Sequence, residues 1–281
     1  LFTAPLLSAG ETKGKPDWWY KDIVDAAFVS QYATIPPKKD VLVVDSRPSR
    51  KYDKGHVVPA VNIPDRKFNE MTDKLPADKS NLLVFYCGGL KCPLSHKSAA
   101  KAEALGYSNV KVYAAGYPDW VKSGHVPGVS AKYVKSQIDK KSGAVIVDAR
   151  PARKFKKGHV PTSLNIPLRQ FDAMMADLPA DKGTELIYYC GGYKCPLSPK
   201  SAAKAIDAGY TKVRLFQAGY PAWKAAYGAA VQPAAAKSAA ALQAGADEGT
   251  ISIESFNKVA NENPDSVHWY DVRDPEEVEA D

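Results

Sequence analysis

Two long stretches of the chain are copies of one another, and this duplication restricts the possible architectures more than any other feature. The tetrapeptide Asp-x-Arg-Pro opens the first copy at 45–48 and the second at 148–151. Cys87 and Cys190 are separated by the same 103 positions, no insertion or deletion interrupts the match, and more than half of the aligned positions are identical. Each copy is long enough to bury a core of its own, so the sequence predicts tandem domains.

The repeat also sets the predicted domain boundaries. A third copy is indicated by Trp-Tyr-Asp-Val-Arg-Asp-Pro at 269–275, which resembles the opening of the two complete copies. The predicted segments are an N-terminal lead, two complete domains, an Ala-rich linker and the start of a third domain, at 1–16, 17–126, 127–229, 230–249 and 250–281. The lead is apolar and ends in small residues, which is typical of either the tail of a secretory signal or a disordered end. The first alternative predicts a periplasmic or secreted protein, and the second leaves a cytoplasmic one.

The composition favours a folded protein with anionic partners. Apolar residues make up 45% of the 281 positions and charged residues 25%, which is typical of a globular protein. No stretch approaches the roughly 20 apolar residues that a membrane-spanning helix needs. The net charge of +7 favours anions. We expect no nucleic-acid partner, because there is no arginine-rich cluster with interleaved aromatic residues. The oligomeric state is left open.

Within each copy, patterns typical of strands and helices alternate. In the first copy, the short apolar runs at 41–44 and 82–86 suit strands that are buried on both faces of a parallel sheet. Residues 99–105 have a helical pattern that ends at Gly106, and 110–113 is a further strand. This alternation predicts an α/β fold, in which each domain has a central, mostly parallel sheet flanked by helices.

The chemistry is predicted to lie in the loop that follows the second apolar run. Cys87 comes at the carboxyl end of this strand, and the next helix is expected to begin at 93–95. Glycines let the backbone curl so that N–H groups point inward, and a helix N-terminus adds partial positive charge. This environment binds anions and lowers the pKa of a thiol. We therefore predict a nucleophilic cysteine, with substrate bound by the residues that follow it, Gly88, Gly89, Leu90, Lys91 and Cys92.

The second copy repeats the loop. Cys190 is the predicted nucleophile, and its substrate-binding residues are Gly191, Gly192, Tyr193, Lys194 and Cys195. Lys91 and Lys194 are interpreted as anion ligands, with solvated lysines as the alternative. No metal site is expected, because each loop offers only two cysteines and no nearby ligand pattern.

The order of these motifs resembles the rhodanese family. The resemblance lies in the Asp-x-Arg opening, the Gly-His stretch, the Asn-Ile-Pro stretch, the Tyr-Cys loop and Gly-Tyr-Pro-x-Trp at 116–120 and 219–223. It implies tandem rhodanese-like domains and a sulfurtransferase without a cofactor. It also implies that Cys87 and Cys190 each accept a sulfane sulfur as a persulfide. The partners would then be a small anionic sulfur donor and a thiol or cyanide acceptor.

The loops also depart from the commonest pattern of that family. They are about two residues longer, lack an arginine that is often found late in the loop, and contain a second cysteine. Thiosulfate, polysulfide and other sulfur oxyanions therefore all stay open as donors. Cys92 and Cys195 have three possible roles: a resolving thiol, half of a permanent disulfide, or a helix cap. The corresponding alternative functions are thiol–disulfide exchange and a sulfur-carrier or binding protein.

Polar residues outside the loop that recur in both copies are assigned to the framework. The Gly-His stretches place His56 and His159 well before the loops, and we expect each imidazole to bond to the backbone. Asp45 with Arg47 in the first copy, and the matching pair in the second, are expected to form ion pairs within the fold.

Overall fold

The computed structural model describes residues 16–228, which belong to one compact unit. Both complete copies of the repeat fall within this range. The predicted lead before residue 16, the Ala-rich linker at 230–249 and the third copy at 250–281 lie outside the described residues. None of the described helices is long and apolar enough to cross a membrane.

The first copy is built from five strands and four α-helices. The strands are β1 (Ile23–Val24), β2 (Val41–Asp45), β3 (Val61–Asn62), β4 (Leu82–Tyr86) and β5 (Val110–Tyr113). The helices are α1 (Ala26–Ser30), α2 (Ser49–Lys54), α3 (Leu94–Ala104) and α4 (Gly116–Lys122). A 3₁₀-helical segment, Asp65–Lys74, connects β3 to β4 and is kinked at Met71.

The second copy repeats this order without a counterpart of β1 among its strands. Its strands are β6 (Val145–Asp148), β7 (Leu164–Asn165), β8 (Leu186–Tyr189) and β9 (Val213–Phe216). Its helices are α5 (Ala131–Asp139), α6 (Ala152–Phe155), α7 (Leu197–Asp207) and α8 (Gly219–Tyr227). Two short 3₁₀ turns, Leu168–Gln170 and Met175–Asp177, replace the kinked segment.

Every ladder in the two sheets is parallel, which confirms the predicted α/β class. The strand order is β1-β5-β4-β2-β3 in the first sheet and β7-β6-β8-β9 in the second. β4 and β8 are therefore interior strands, and all of their residues are buried. In β4, Leu83 and Phe85 pack into one core cluster, whereas Leu82, Val84 and Tyr86 pack into another on the opposite face. A strand covered on both faces explains the continuous apolar run in the sequence.

The segment that joins the copies is held by backbone hydrogen bonds from both of them. Gly128 exchanges two backbone bonds with His56, of 2.9 and 2.8 Å. On either side of Gly128, Val129 donates to Leu215 of β9, and Leu215 donates to Pro127. Val58 of the first copy packs into a core cluster of the second. The two domains therefore share a close junction.

Replacement of Gly128 by alanine is expected to destabilise this junction. A Cβ atom at this position would lie 2.5 Å from His56 Nε2 and 2.6 Å from Val58 Cγ2, and both side chains are buried. Overpacking of this kind costs about 1–3 kcal/mol, which we expect as a lower free energy of unfolding in urea. Gly183→Ala is the matched control, because its Cβ would meet only the side chain of exposed Asp181. Equal stability of the two variants would contradict the close packing.

Candidate functional site

Each predicted loop begins at the carboxyl end of an interior strand. Cys87 follows β4 directly, and the loop leads into α3, which begins at Leu94 as the sequence predicts. The loop curls at Gly89, where φ is +116°, a conformation that side chains other than glycine rarely adopt. Gly116 packs against it so closely that a Cβ there would lie 2.5 Å from the carbonyl oxygen of Cys87. Gly116 of the Gly-Tyr-Pro-x-Trp motif thus packs directly against the backbone of the loop.

Cys87 lies at the bottom of the loop and is fully buried. Its sulfur lies 3.0 Å from the carbonyl oxygen of Cys92, to which the thiol donates. The hydroxyl of Ser95 donates to the same sulfur over 3.1 Å, and the backbone N–H of Ser95 is a further donor. Ser95 belongs to the first turn of α3, so one of the N–H groups that a helix leaves unpaired is directed at the sulfur.

Cys92, the second cysteine of the loop, is half-buried. Its sulfur lies 3.9 Å from the position that a Cβ atom on Gly88 would occupy. The backbone N–H groups of Gly88 and Leu94 donate to this sulfur. All four cysteines are free thiols in the structure.

The second loop has the same construction. Cys190 is buried, its sulfur lies 3.2 Å from the carbonyl oxygen of Cys195 and 3.0 Å from the hydroxyl of Ser198. Cys195 is half-buried and accepts from the backbone N–H groups of Gly191 and Leu197. Because both copies form the same contacts, the arrangement is a property of the repeat.

The pKa values of the two cysteines in each pair shift in opposite directions. A hydrogen bond to Cys92 and burial raise the pKa of Cys87 well above its ordinary value. The same hydrogen bond, with help from the N–H groups of Gly88 and Leu94, lowers the pKa of Cys92 to about 6. The second copy behaves alike, and the pKa of Cys195 is lowered to about 6. For Cys87 and Cys190 this direction is opposite to the lowering of the pKa that the sequence predicts for these thiols.

We expect the lowered pKa values of Cys92 and Cys195 to be visible in alkylation kinetics. Because a thiolate is the reactive form, iodoacetamide should modify Cys92 and Cys195 with a midpoint near pH 6, and the rate should fall below that pH. Replacement of Cys87 and Cys190 by alanine removes the principal donor, so the midpoint should move towards the ordinary value. A full return to the ordinary pKa would lower the thiolate fraction at pH 7 by roughly thirtyfold, and the rate should fall with it. An unchanged midpoint in the alanine variant would show that Cys87 and Cys190 do not lower the pKa values of Cys92 and Cys195.

Gln217 distinguishes the two loops. It is fully buried, and its amide nitrogen donates to the carbonyl oxygens of Gly192 and Cys195 over 3.1 and 3.0 Å. The hydroxyl of Ser198 donates to the Gln217 side-chain oxygen at 3.2 Å. The matching position in the first copy is Ala114, which cannot form these bonds. The second loop is therefore fixed by a side chain that the first loop lacks.

Replacement of Gln217 by alanine should loosen the second loop specifically. The carbonyl groups of Gly192 and Cys195 would each lose a donor, and such losses cost about 1–3 kcal/mol. We expect faster amide hydrogen exchange at 191–195, measured by mass spectrometry. Exchange at 88–92 in the same molecule is the internal control and should not change. Equal protection of 191–195 in the two proteins would contradict this assignment.

The predicted loop residues with long side chains are at the surface, whereas Gly192 is buried. Leu90 is 57% exposed and Tyr193 38% exposed, and Lys91 and Lys194 are exposed as well. Tyr193 extends to a cleft on the first copy that is also lined by Tyr52. Both lysines thus lie at the rim of their loops, whereas the sulfurs lie deeper.

Sequence reasoning did not identify a basic cleft beside each loop. In the first copy a cleft of about 480 Å³ is lined by Arg50, Arg66 and Leu94, the first residue of α3. A cleft of about 680 Å³ in the second copy is lined by Arg153 and Arg169. Both arginine positions recur at the repeat spacing, and this recurrence is the signal that could have revealed them. Ser95 and Ser198 recur in the same way.

The ion pairs and histidines that the sequence assigns to the framework form structural contacts outside the loops. The carboxylate of Asp45 accepts from the guanidinium of Arg47, with the closest contact at 2.5 Å, and from the hydroxyl of Tyr86 at 2.7 Å. The matching pair in the second copy, Asp148 and Arg150, is equally close. His56 Nδ1 lies 3.0 Å from the carbonyl oxygen of Tyr52, as expected of a structural imidazole. Burial lowers the pKa of His56 to about 4, which keeps the ring neutral at pH 7.

The fold and the loops define a class of α/β proteins with a buried cysteine between an interior parallel strand and a helix N-terminus. The rhodanese-like domain family model matches residues 29–123 and 130–226. The chain belongs to this family and contains two of its domains in tandem.

Several known proteins are similar to parts of the chain. The HTH-type transcriptional regulator Rv0324 of Mycobacterium tuberculosis is 34% identical over 70 residues, which are 25% of this chain and 30% of that protein. The tRNA uridine(34) hydroxylase of Yersinia pestis is 29% identical over 116 residues, which are 39% of this chain and 32% of that protein. The chain thus spans about a third of the length of these curated relatives.

Solved structures that are similar to parts of the chain include enzymes of sulfur transfer. The thiosulfate sulfurtransferase from Pseudomonas aeruginosa has 20% identity and a TM-score of 0.33, over 73% of this chain and 42% of that chain. SseA from Escherichia coli, described as a 3-mercaptopyruvate sulfotransferase, has 16% identity and a TM-score of 0.31, over 72% of this chain and 98% of that chain. At these identities the likeness concerns the fold alone.

Proposed function

We propose that the protein is a sulfurtransferase that carries sulfane sulfur as a persulfide on Cys87 and Cys190. The observation that carries the proposal is the pair of donors from Ser95, one hydroxyl and one backbone N–H, that are directed at the buried sulfur of Cys87. Donors fixed by the fold stabilise negative charge as it develops on this sulfur. The equivalent serine, Ser198, contacts Cys190 in the second loop.

The proposed reaction begins with loss of the Cys87 proton to solvent. The hydroxyl and the backbone N–H of Ser95 stabilise the resulting thiolate, which is the nucleophile. The Cys87 sulfur attacks the outer sulfur of the donor, and the bond between this sulfur and the rest of the donor breaks. The electron pair leaves with the remainder of the donor, which is sulfite if the donor is thiosulfate. The persulfide then passes its outer sulfur to a thiol or cyanide acceptor, and the Cys87 thiolate is regenerated.

The basic clefts support an anionic donor. Arg50 and Arg66 line the cleft in the first copy, and Arg153 and Arg169 line the one in the second. Guanidinium groups bind planar or tetrahedral oxyanions through paired N–H donors. Lys91 and Lys194, at the rims of the loops, add positive charge near the entrance. Thiosulfate, polysulfide and related sulfur oxyanions all fit this chemistry.

The exported location also belongs to this proposal. Its support is the apolar lead at 1–16, which lies almost wholly outside the described residues. Fractionation of the native host with an antibody against the protein tests it, since the periplasmic and the cytoplasmic alternative predict different fractions.

Intact-mass measurement tests the proposed function. The reduced chain with Cys92 and Cys195 replaced by serine is incubated with thiosulfate or polysulfide under anaerobic conditions, and it is expected to gain the mass of one sulfur atom per loop. Additional replacement of both Cys87 and Cys190 by serine should abolish this gain. Equal sulfur uptake by these two variants would refute the assignment.

A further inference from the structure

The second cysteine of each loop has an environment that the proposed sulfur transfer does not use. Cys92 is half-buried, so its sulfur is more accessible than that of Cys87. Two backbone N–H groups, from Gly88 and Leu94, donate to it and hold it in place.

The position of this sulfur relative to Cys87 is the decisive observation. The Cys87 thiol donates to the backbone carbonyl oxygen of Cys92 over 3.0 Å, and each thiol of the pair shifts the pKa of the other. The second loop reproduces this contact, with 3.2 Å from the Cys190 sulfur to the carbonyl oxygen of Cys195. A thiol placed next to a persulfide can attack its inner sulfur. Both loops therefore hold a second nucleophile next to the sulfur that would carry the persulfide.

We propose that Cys92 and Cys195 resolve the persulfides on Cys87 and Cys190, and thereby release hydrogen sulfide and leave a disulfide within each loop. The proposal rests on the proposed function, because it needs a persulfide on the first cysteine. It adds a second activity to sulfur transfer, namely reduction of sulfane sulfur to sulfide by the protein's own thiols.

The step is balanced without another reactant. The Cys92 sulfur attacks the inner sulfur of the Cys87 persulfide, a bond forms between the two cysteine sulfurs, and the bond to the outer sulfur breaks. The outer sulfur leaves as hydrosulfide with the electron pair of the broken bond and the proton from Cys92. The sulfane sulfur is reduced and the Cys92 sulfur is oxidised. A further round then requires reduction of the disulfide by an external dithiol.

A single-turnover experiment tests this step. The reduced full chain is loaded anaerobically with polysulfide, the excess is removed, and sulfide and intact mass are followed over time without an acceptor. The wild type should lose the added sulfur, release one sulfide per loaded loop and end two hydrogens per loop lighter than the reduced protein. Trypsin cuts after Lys91, so the disulfide should appear as peptide 80–91 joined to peptide 92–97.

The matched variant is the chain with Cys92 and Cys195 both replaced by serine. After loading, it should keep the added sulfur and release sulfide at least about tenfold more slowly than the wild type. A wild type that keeps its sulfur, or forms no joined peptides, overturns the proposal. Sulfur uptake by the Cys87→Ser, Cys190→Ser chain would also overturn it, because the order of the two cysteines would be reversed. Absence of sulfur uptake by the wild type would instead refute the proposed function.

Discussion

Replacement of both Cys87 and Cys190 by serine is expected to lower sulfur transfer to cyanide by roughly 10⁴–10⁶-fold, the range typical for loss of a nucleophile. The sulfurs of both residues lie at strand ends and contact a serine hydroxyl from the following helix, so each is placed to take up sulfur. A serine hydroxyl is a far weaker nucleophile at neutral pH and cannot form a persulfide. The rate of thiocyanate formation, with thiosulfate and then polysulfide as donor, measures the effect.

The single variants separate the contributions of the two loops. Cys87→Ser leaves the second loop intact, and Cys190→Ser leaves the first, so the two residual rates should add up to the wild-type rate if the loops act independently. Unchanged unfolding curves exclude a loss of fold as the cause. A double variant that keeps more than about a tenth of the wild-type rate would contradict the assignment of these cysteines as sulfur carriers.

Replacement of Asp45 by alanine is expected to destabilise the first domain by about 3–5 kcal/mol, because it leaves a buried arginine without its counterion. The Arg47 side chain is only 8% exposed, and the Asp45 side chain is fully buried. The carboxylate also accepts from the hydroxyl of Tyr86, which lies directly before the loop cysteine. The urea midpoint of unfolding should therefore fall, and the loop should be perturbed with it.

Two further variants make this prediction specific. Asp73→Ala removes a carboxylate from an exposed position and should change the free energy of unfolding by less than about 0.5 kcal/mol. Asp45→Ala combined with Arg47→Met removes both charges and should recover part of the lost stability. A cost below about 1 kcal/mol for Asp45→Ala alone would contradict a buried, interdependent ion pair.

The architecture follows from short-range patterns and could be predicted. The continuous apolar run that became β4 is typical of a strand buried on both faces, and Gly106, with φ of +91°, terminates α3 as the sequence predicts. Because the two copies are offset by 103 positions, the same argument predicts the strands and helices of the second domain. The ion pair of Asp45 and Arg47 was predictable as well, because the two residues are near neighbours in sequence.

The direction of the pKa shifts within the loop could not be predicted from the sequence. It depends on which donors reach which sulfur. The N–H groups of Gly88 and Leu94 act on Cys92, whereas the hydroxyl and the N–H of Ser95 act on Cys87. Gln217 was missed for a related reason, because it bonds to the loop from β9's end, 22 or more positions away in sequence. Contacts of this kind become visible only once the strands are placed side by side.

The most direct test of persulfide transfer is to locate the added sulfur on individual cysteines. Trypsin cuts after Lys91 and Lys194, so the first and second cysteine of each loop end up on different peptides. The chain with Cys92 and Cys195 replaced by serine is loaded with sulfur donor, blocked with an alkylating agent and digested. We predict one extra sulfur on peptides 80–91 and 183–194, which contain Cys87 and Cys190. Recovery of these two peptides without extra sulfur, when thiosulfate and polysulfide have both been supplied, would contradict the account.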